Sequence, residues 1–179
     1  MDNGRLLTRD AVVMLAGSSL GILGPMMWAD LGCGDGTFTV ALADVLAPGS
    51  VIHAIDRDRA ALKHIPSHHH DVRIHTHVGD FIEAWPFGRV DGILMANSLH
   101  YVANQEAFVR RCESRMTSPR RFLIVEYDTN KGNAWVPYPV SRTKLAELFR
   151  GHSFQSLGSR PSRYQRARLY AELLESAPD

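Results

Sequence analysis

Strand-like and helix-like segments alternate along almost the whole chain, and this alternation restricts the fold more than any other feature of the sequence. "RDAVVMLA", with Thr8 placed to cap it, has the spacing of an amphipathic helix. "MMWADL" then reads as a strand, "TFTVALADVL" as a helix, "SVIHAI" as a strand and "DRAALKHI" as a short helix. "DVRIHTHV" and "RVDGILMA" follow as strands, "NQEAFVRRCESRM" as a helix opened by Asn104, and "RRFLIVEY" as the fifth strand. "SRTKLAELFRGH", started by Ser141, is the last helix, and "SFQSLGSR" and "RARLYAELLE" read as two further strands. Strands joined through helices imply right-handed crossovers, hence an α/β fold with a doubly wound, mostly parallel sheet and helices on both faces. The unbroken apolar runs "GILMA" and "FLIV" suit strands buried on both sides. No helical crossover separates the last two strands, so an antiparallel pair at one edge is expected. With 179 residues, 45% of them hydrophobic, a single domain is expected.

Sheets of this kind bind ligands at the carboxyl ends of their strands, and one such end is unusual. The stretch "WADLGCGDGTFTV" places Gly32, Gly34 and Gly36 at alternate positions directly after an apolar run and an acid, Asp30. Glycines so placed let the backbone bend sharply and come close to a ligand, with the next helix offering its N-terminal amides. Asp56 stands twenty residues beyond Gly36 at the end of the second strand, where an acid accepts hydrogen bonds from ribose hydroxyls. Asp80, in "VGDF", adds a third carboxyl after the next strand. Three acids around one pocket favour a cationic, ribose-bearing ligand over a pyrophosphate. The dinucleotide fingerprint G-x-G-x-x-G is also broken, because Thr37 stands where its third glycine belongs. A nicotinamide-dependent oxidoreductase is therefore disfavoured.

The D-x-G-x-G-x-G run, followed in order by "AIDRD" and "GDF", resembles the class I methyltransferases that use S-adenosylmethionine, in particular small single-domain members. The resemblance covers nearly the whole chain and implies a Rossmann-like, seven-stranded sheet with an antiparallel edge strand. It implies that Asp30, Gly32, Gly34 and Gly36 shape the loop around the methionine part of the cofactor. Cys33 would be a small filler in that loop. Asp56 would bind both ribose hydroxyls, with Arg57 beside the adenine. Asp80, preceded by Gly79, would accept from the exocyclic amine, and Phe81 would pack near the ring. Asn97 would offer a polar contact near the reacting sulfonium.

Methyl transfer proceeds by in-line displacement, so the protein must align the nucleophile, exclude water and in some cases remove a proton. "ANSLHYV" follows the fourth strand and should border the transferable methyl; His100 is the candidate base and Tyr101 the candidate for orienting the acceptor. Local packing is the competing role for His100. Enzymes acting on exocyclic or amide nitrogens carry an N-P-P-Y-type tetrapeptide here, whereas this chain has Asn97, Ser98, Leu99 and His100. Two cysteines, Cys33 and Cys112, do not meet the need of an arsenite methyltransferase and indicate no disulfide framework. They fit a reducing cytoplasm.

A formal net charge of +1 argues against nucleic-acid binding by bulk electrostatics, although the stretch from Arg120 to Arg168 is rich in arginine. The expected partner is a small-molecule acceptor; DNA is not expected, and RNA has no supporting motif. An RNA or protein substrate is the alternative among enzymes, and a non-catalytic S-adenosylmethionine sensor or scaffold is the alternative outside them. "EYDTNKGNAWVPYPVS", with Trp135, Pro137, Tyr138 and Pro139, is expected either to cap the acceptor pocket or simply to anchor on the core. Residues 1–25 are expected to form a helical cap, 26–128 the cofactor-binding core, and 129–179 the acceptor-side loop, helix and strand pair. Arg160, Arg163 and Arg166 are expected to form a solvated strand edge, with a binding edge for an acidic acceptor as the alternative. The apolar stretch from Ala11 to Ala29 is broken by Gly17, Gly21, Gly24 and Pro25, which argues against a secretion signal or membrane span. His64, His68, His69, His70, His75 and His77 cluster in sequence, with His75 and His77 on one strand face. With no carboxylate or cysteine at ligand spacing, they read as a solvated loop and not a metal centre.

Overall fold

The structure, a computed structural model, describes residues 8–161 and 168–179. In chain order it contains α1 (Thr8–Leu15), β1 (Met27–Leu31), α2 (Thr37–Val45), β2 (Val51–Asp56), α3 (Arg59–Leu62), β3 (His68–His69) and β4 (Val72–Val78). Then come β5 (Val90–Ala96), α4 (Gln105–Glu113), β6 (Met116–Asp128), α5 (Arg142–Leu148), β7 (Ser153–Pro161) and β8 (Arg168–Glu175). Single 3-10 turns lie at Leu20–Ile22 and Leu99–Tyr101. Helix starts are fixed by side chains that satisfy otherwise unpaired amides. Asp58 accepts from the amides of Ala60 and Ala61, Asn104 from Ala107 and Ser141 from Lys144.

The strands form one sheet in the order β3-β4-β2-β1-β5-β6-β8-β7. β4, β2, β1, β5 and β6 run parallel, β8 is antiparallel to β6, and β7 is antiparallel to β8. Among the described residues the sheet has eight strands, not the seven expected. The additional one is the two-residue β3, antiparallel to β4 through His68↔Arg73 and His69↔Val72. It consists of two histidines, so no apolar period announces it. β6 starts at Met116, earlier than its apolar run, and a register shift against β5 between Val90 and Gly92 accommodates the extra length.

Two apolar cores sandwich the sheet. On one face Ala11, Leu15, Phe38, Ala41, Leu42 and Leu62 of α1, α2 and α3 pack over Trp28, Ile52, Ala54, Leu94 and Leu123. On the other, Phe108, Val109 and Cys112 of α4 and Leu145 of α5 cover Leu31, Ile93, Met95, Phe122 and Ile124. The stretch from Ala11 to Ala29 is consumed by this core: Ala11, Met14, Leu15, Leu20, Met26 and Trp28 are all buried. Among the described residues, no helix is long and apolar enough to cross a membrane. Of the edge arginines, Arg163 and Arg166 lie outside the described residues, and only the backbone of Arg160 is described, within β7.

Candidate active site

The five parallel strands end on one rim, and there the chain turns between Leu31 and Thr37. The Gly32 and Cys33 amides both donate to the carbonyl of Ile55, at 2.9 and 3.2 Å, which draws the loop over the end of β2. Gly32 has φ of +79°, and a Cβ there would lie 2.7 Å from Ser98 Cβ and 3.1 Å from Phe81 Cε1. Only glycine fits both the conformation and the space. Gly34, at φ +54°, faces the opposite situation, because nothing stands within 4 Å of where its Cβ would be. That open space belongs to a cleft of about 370 Å³ lined by Asp30, Gly32, Cys33, Gly34, Asp56, Asn97 and Tyr101, with Asp35, Thr37, Phe38 and Ala96 completing the wall.

The cleft contains polar atoms that the protein itself does not satisfy. Asp30, on the α2 side of β1 and only 1% exposed, accepts a 2.6 Å hydrogen bond from the Thr39 hydroxyl through Oδ2, while its Oδ1 is buried without a partner. Burial, reinforced by the nearby Asp56 and opposed by the Thr39 hydrogen bond, pushes the Asp30 carboxyl up to about 7. Asn97 Oδ1 is likewise buried and unpartnered, and Asn97 holds a left-handed φ of +55° that a non-glycine residue rarely adopts. Asp56 Oδ2 accepts from the Gly34 amide at 2.9 Å and Oδ1 from the Asp58 amide at 2.8 Å, so the strand-end acid also holds the loop. Burial, with Asp30 and Asp56 nearby, pushes the Cys33 thiol up, so it stays protonated.

The other expected residues stand around this cleft without lining it. The Gly79 amide donates to the carbonyl of Asp56 at 3.0 Å. Asp80 Oδ1 accepts from the Ile82 amide at 2.8 Å, and its Oδ2 lies 3.9 Å from Arg57 Nη1. Phe81 packs edge-on against Phe108 at 5.8 Å between ring centres. Gly36 is turned away against Ile65, whose Cγ1 would lie 2.5 Å from an added Cβ.

A second cavity of about 350 Å³ adjoins the first and shares Asn97 and Tyr101 with it. Its remaining wall is His100, Tyr127, Asn133, Trp135 and Val136. His100 is 2% exposed, and its Nδ1 lies 2.7 Å from Glu126 Oε2, while its amide donates to Glu126 Oε1 at 3.1 Å. Both carboxylate oxygens of Glu126 are thus committed to one residue. Glu126, fully buried at the end of β6, was not among the candidates from sequence. Its signal is an acid at the end of the apolar run "FLIVEY", where burial demands a partner. Tyr101 is 43% exposed, and burial and Glu126 raise its hydroxyl above the ordinary value, against a lowering by Arg57. The aromatic loop is held by its aliphatic residues and backbone. Val136 and Val140 are buried, the Tyr138 amide donates to the His100 carbonyl at 3.0 Å, and Asn133 Oδ1 accepts from Trp135 and Val136. Trp135 is 77% exposed, so it does not anchor the loop.

A family model described as a methyltransferase domain matches residues 29–119, half of the 179-residue chain. The chain belongs to this family. Members of the family use S-adenosylmethionine. The present methyltransferase domain is similar in fold to TehB from Haemophilus influenzae, at a TM-score of 0.70 and 15% identity over 94% of this chain, and it spans 62% of that protein's length. It is similar to magnesium protoporphyrin IX methyltransferase from Synechocystis PCC 6803, crystallised with bound SAM, at a TM-score of 0.64 and 15% identity, covering 94% of this chain and 78% of that one. A third similar structure is Burkholderia thailandensis 1,6-didemethyltoxoflavin-N1-methyltransferase with 1,6-didemethyltoxoflavin and S-adenosylhomocysteine bound, with a TM-score of 0.63 and 19% identity over 95% of this chain and 78% of that one. At such identities the likeness is one of fold. No curated protein matches the sequence.

Proposed function

We propose that this domain transfers a methyl group from S-adenosylmethionine to a small-molecule acceptor in the cytoplasm, with His100 as general base. The observation that carries the reading is the shared wall of the two cavities, Asn97 and Tyr101, which joins an acid-lined cleft to an aromatic-lined one. The cleft suits the cofactor: Asp30 and Asn97 offer unsatisfied buried oxygens, and the open space at Gly34 admits a ligand close to the backbone. Bound there, S-adenosylmethionine supplies a methyl on a positively charged sulfur, a leaving group that needs no protonation. Asp30 and Asp56 offset positive charge, Asp56 is the candidate for the ribose hydroxyls, and Asp80, Arg57 and Phe81 for the adenine end.

Residues 129–179 supply Asn133, Trp135 and Val136 to the acceptor side, and residues 26–128 supply the cofactor side. Glu126 fixes the His100 ring through Nδ1, leaving Nε2 as the nitrogen to receive a proton from the acceptor. The net charge of +1 and an acceptor cavity of about 350 Å³ favour a small acceptor over a polynucleotide. Cys33 and Cys112, both unpaired, suit a reducing compartment.

The test is turnover of isotopically labelled S-adenosylmethionine with a panel of small acceptors, read as labelled product, with Asp56→Ala abolishing cofactor binding. His100→Gln should lower kcat by about a hundredfold with cofactor affinity kept. Glu126→Gln should lower kcat less and change its pH profile. Cofactor binding without turnover on any acceptor would support a sensor, and undiminished kcat in His100→Gln would remove the base.

A further inference from the structure

His68, His69 and His70 lie in an edge hairpin with β4, and its tip lies against the last turn of α2. There Asp44 Oδ1 stands 2.8 Å from His69 Nε2 and 3.1 Å from His70 Nε2. The three residues bring one ligand atom each to within 4.8 Å of one another. The side chains are 23%, 29% and 71% exposed respectively, so solvent reaches the site while its donors come from two separate elements. His70 occupies a left-handed φ of +49° at the tip. From the sequence the histidines lacked a carboxylate at ligand spacing; the fold supplies one from 25 residues upstream.

We propose that Asp44, His69 and His70 bind one divalent transition-metal ion of the zinc type, clasping the β3–β4 hairpin to α2. Two imidazole nitrogens and one carboxylate oxygen are the donors such ions prefer, whereas calcium and magnesium require oxygen-rich shells. The two carboxylate-to-imidazole separations, 2.8 and 3.1 Å, approach the edge of a tetrahedron with metal–ligand distances of about 2.0 Å, roughly 3.3 Å, and all three donor atoms lie within 4.8 Å of one another. The site is separate from the chemistry. Asp44 lies seven residues along α2 from Thr37 in the cofactor cleft, about 10 Å at the rise of an α-helix. The proposal therefore stands apart from the proposed reaction.

The experiment is a calorimetric titration of the full chain, carrying no histidine tag and stripped with EDTA, with zinc chloride. One ion per chain at micromolar affinity is expected, together with a rise in Tm. Asp44→Asn and His70→Ala should each weaken zinc by about tenfold or more and abolish the Tm rise. Both residues are at the surface, and a zinc-free melt like that of the parent confirms that each variant folds. His75→Ala, among the separate sheet-face histidines His53, His75 and His77, should bind zinc as the parent does. Absence of saturable binding, an isotherm untouched by Asp44→Asn and His70→Ala, or loss of zinc in His75→Ala would each overturn the proposal.

Discussion

Asp30 is a buried acid whose proposed ligand role would come at a cost to the stability of the fold. In the unfolded chain its carboxyl titrates near 3.8, while in the folded chain burial raises it to about 7. The folded state holds the proton more tightly, so the carboxyl favours folding most below pH 4, and that contribution is lost as pH rises through 7. Asp30→Asn should therefore raise the ligand-free Tm at pH 8, with the gain shrinking toward pH 4. The same substitution should weaken S-adenosylmethionine, because an uncharged amide no longer offsets a cation. Parallel melts and titrations across that range check both halves, and a variant less stable than the parent at pH 8 would contradict the argument. At this scale the sequence was informative where chain position alone determines what a residue meets. Asp30 and Asp56 stand near the ends of β1 and β2. Glu126 carried a signal only of burial, as an acid closing an apolar run; its partner was not legible, since His100 is 26 residues away and only the fold brings the two together.

The strands carry the next level of constraint. In β2 and β4 the alternation of side chains puts His53, His75 and His77 on one face, with His53 stacked on Phe87 at 4.6 Å and its Nδ1 2.9 Å from His77 Nε2. His75 and His77 were expected to share a face from their spacing, but His53 joins them only through the pairing of β2 with β4. Burial, followed by the neighbouring imidazoles, lowers His53 to about 4, and burial and His75 lower His77. A histidine lowered on folding stabilises the protein above its unfolded value of 6.5, and that stability is lost as pH falls toward 4. His53→Phe keeps a ring against Phe87 and removes one titration, so Tm should fall less steeply between pH 6.5 and 4 than in the parent. An unchanged slope would mean that other groups set the acid limit. In β5, Gly92 lies beneath the fully buried indole of Trp28, and a Cβ there would run into the ring. Gly92→Ala should cost about 1–3 kcal/mol, measured by denaturant unfolding.

For the whole molecule, the question is whether residues 1–128, with the proposed cofactor cleft, can fold without residues 129–179, which contribute to the proposed acceptor cavity. The family match ends at residue 119, yet the likeness to known folds extends over 94% of the chain. The reason is physical: β8 pairs with β6 residue by residue from Arg121↔Glu175 to Asp128↔Arg168. Its Leu169, Ala171 and Leu173 enter one core, and its Tyr170 and Leu174 the other. Tyr170 also donates to the Val140 carbonyl at 2.8 Å, and Glu172 pairs with Arg142, so α5 is tied to the same strand. Cutting after residue 128 leaves β6 as a bare edge and opens both cores, a combination that favours aggregation. The full chain should therefore melt in one transition, and residues 1–128 alone should show no cooperative melt. Saturating S-adenosylmethionine, at about a hundred times its Kd, should raise that single Tm by roughly 5–10 °C, because about 2.7 kcal/mol of binding energy is spread over one cooperative unit of this size. Two calorimetric transitions, with only one moved by the cofactor, would instead show that the cofactor core folds independently of the segment that walls the acceptor.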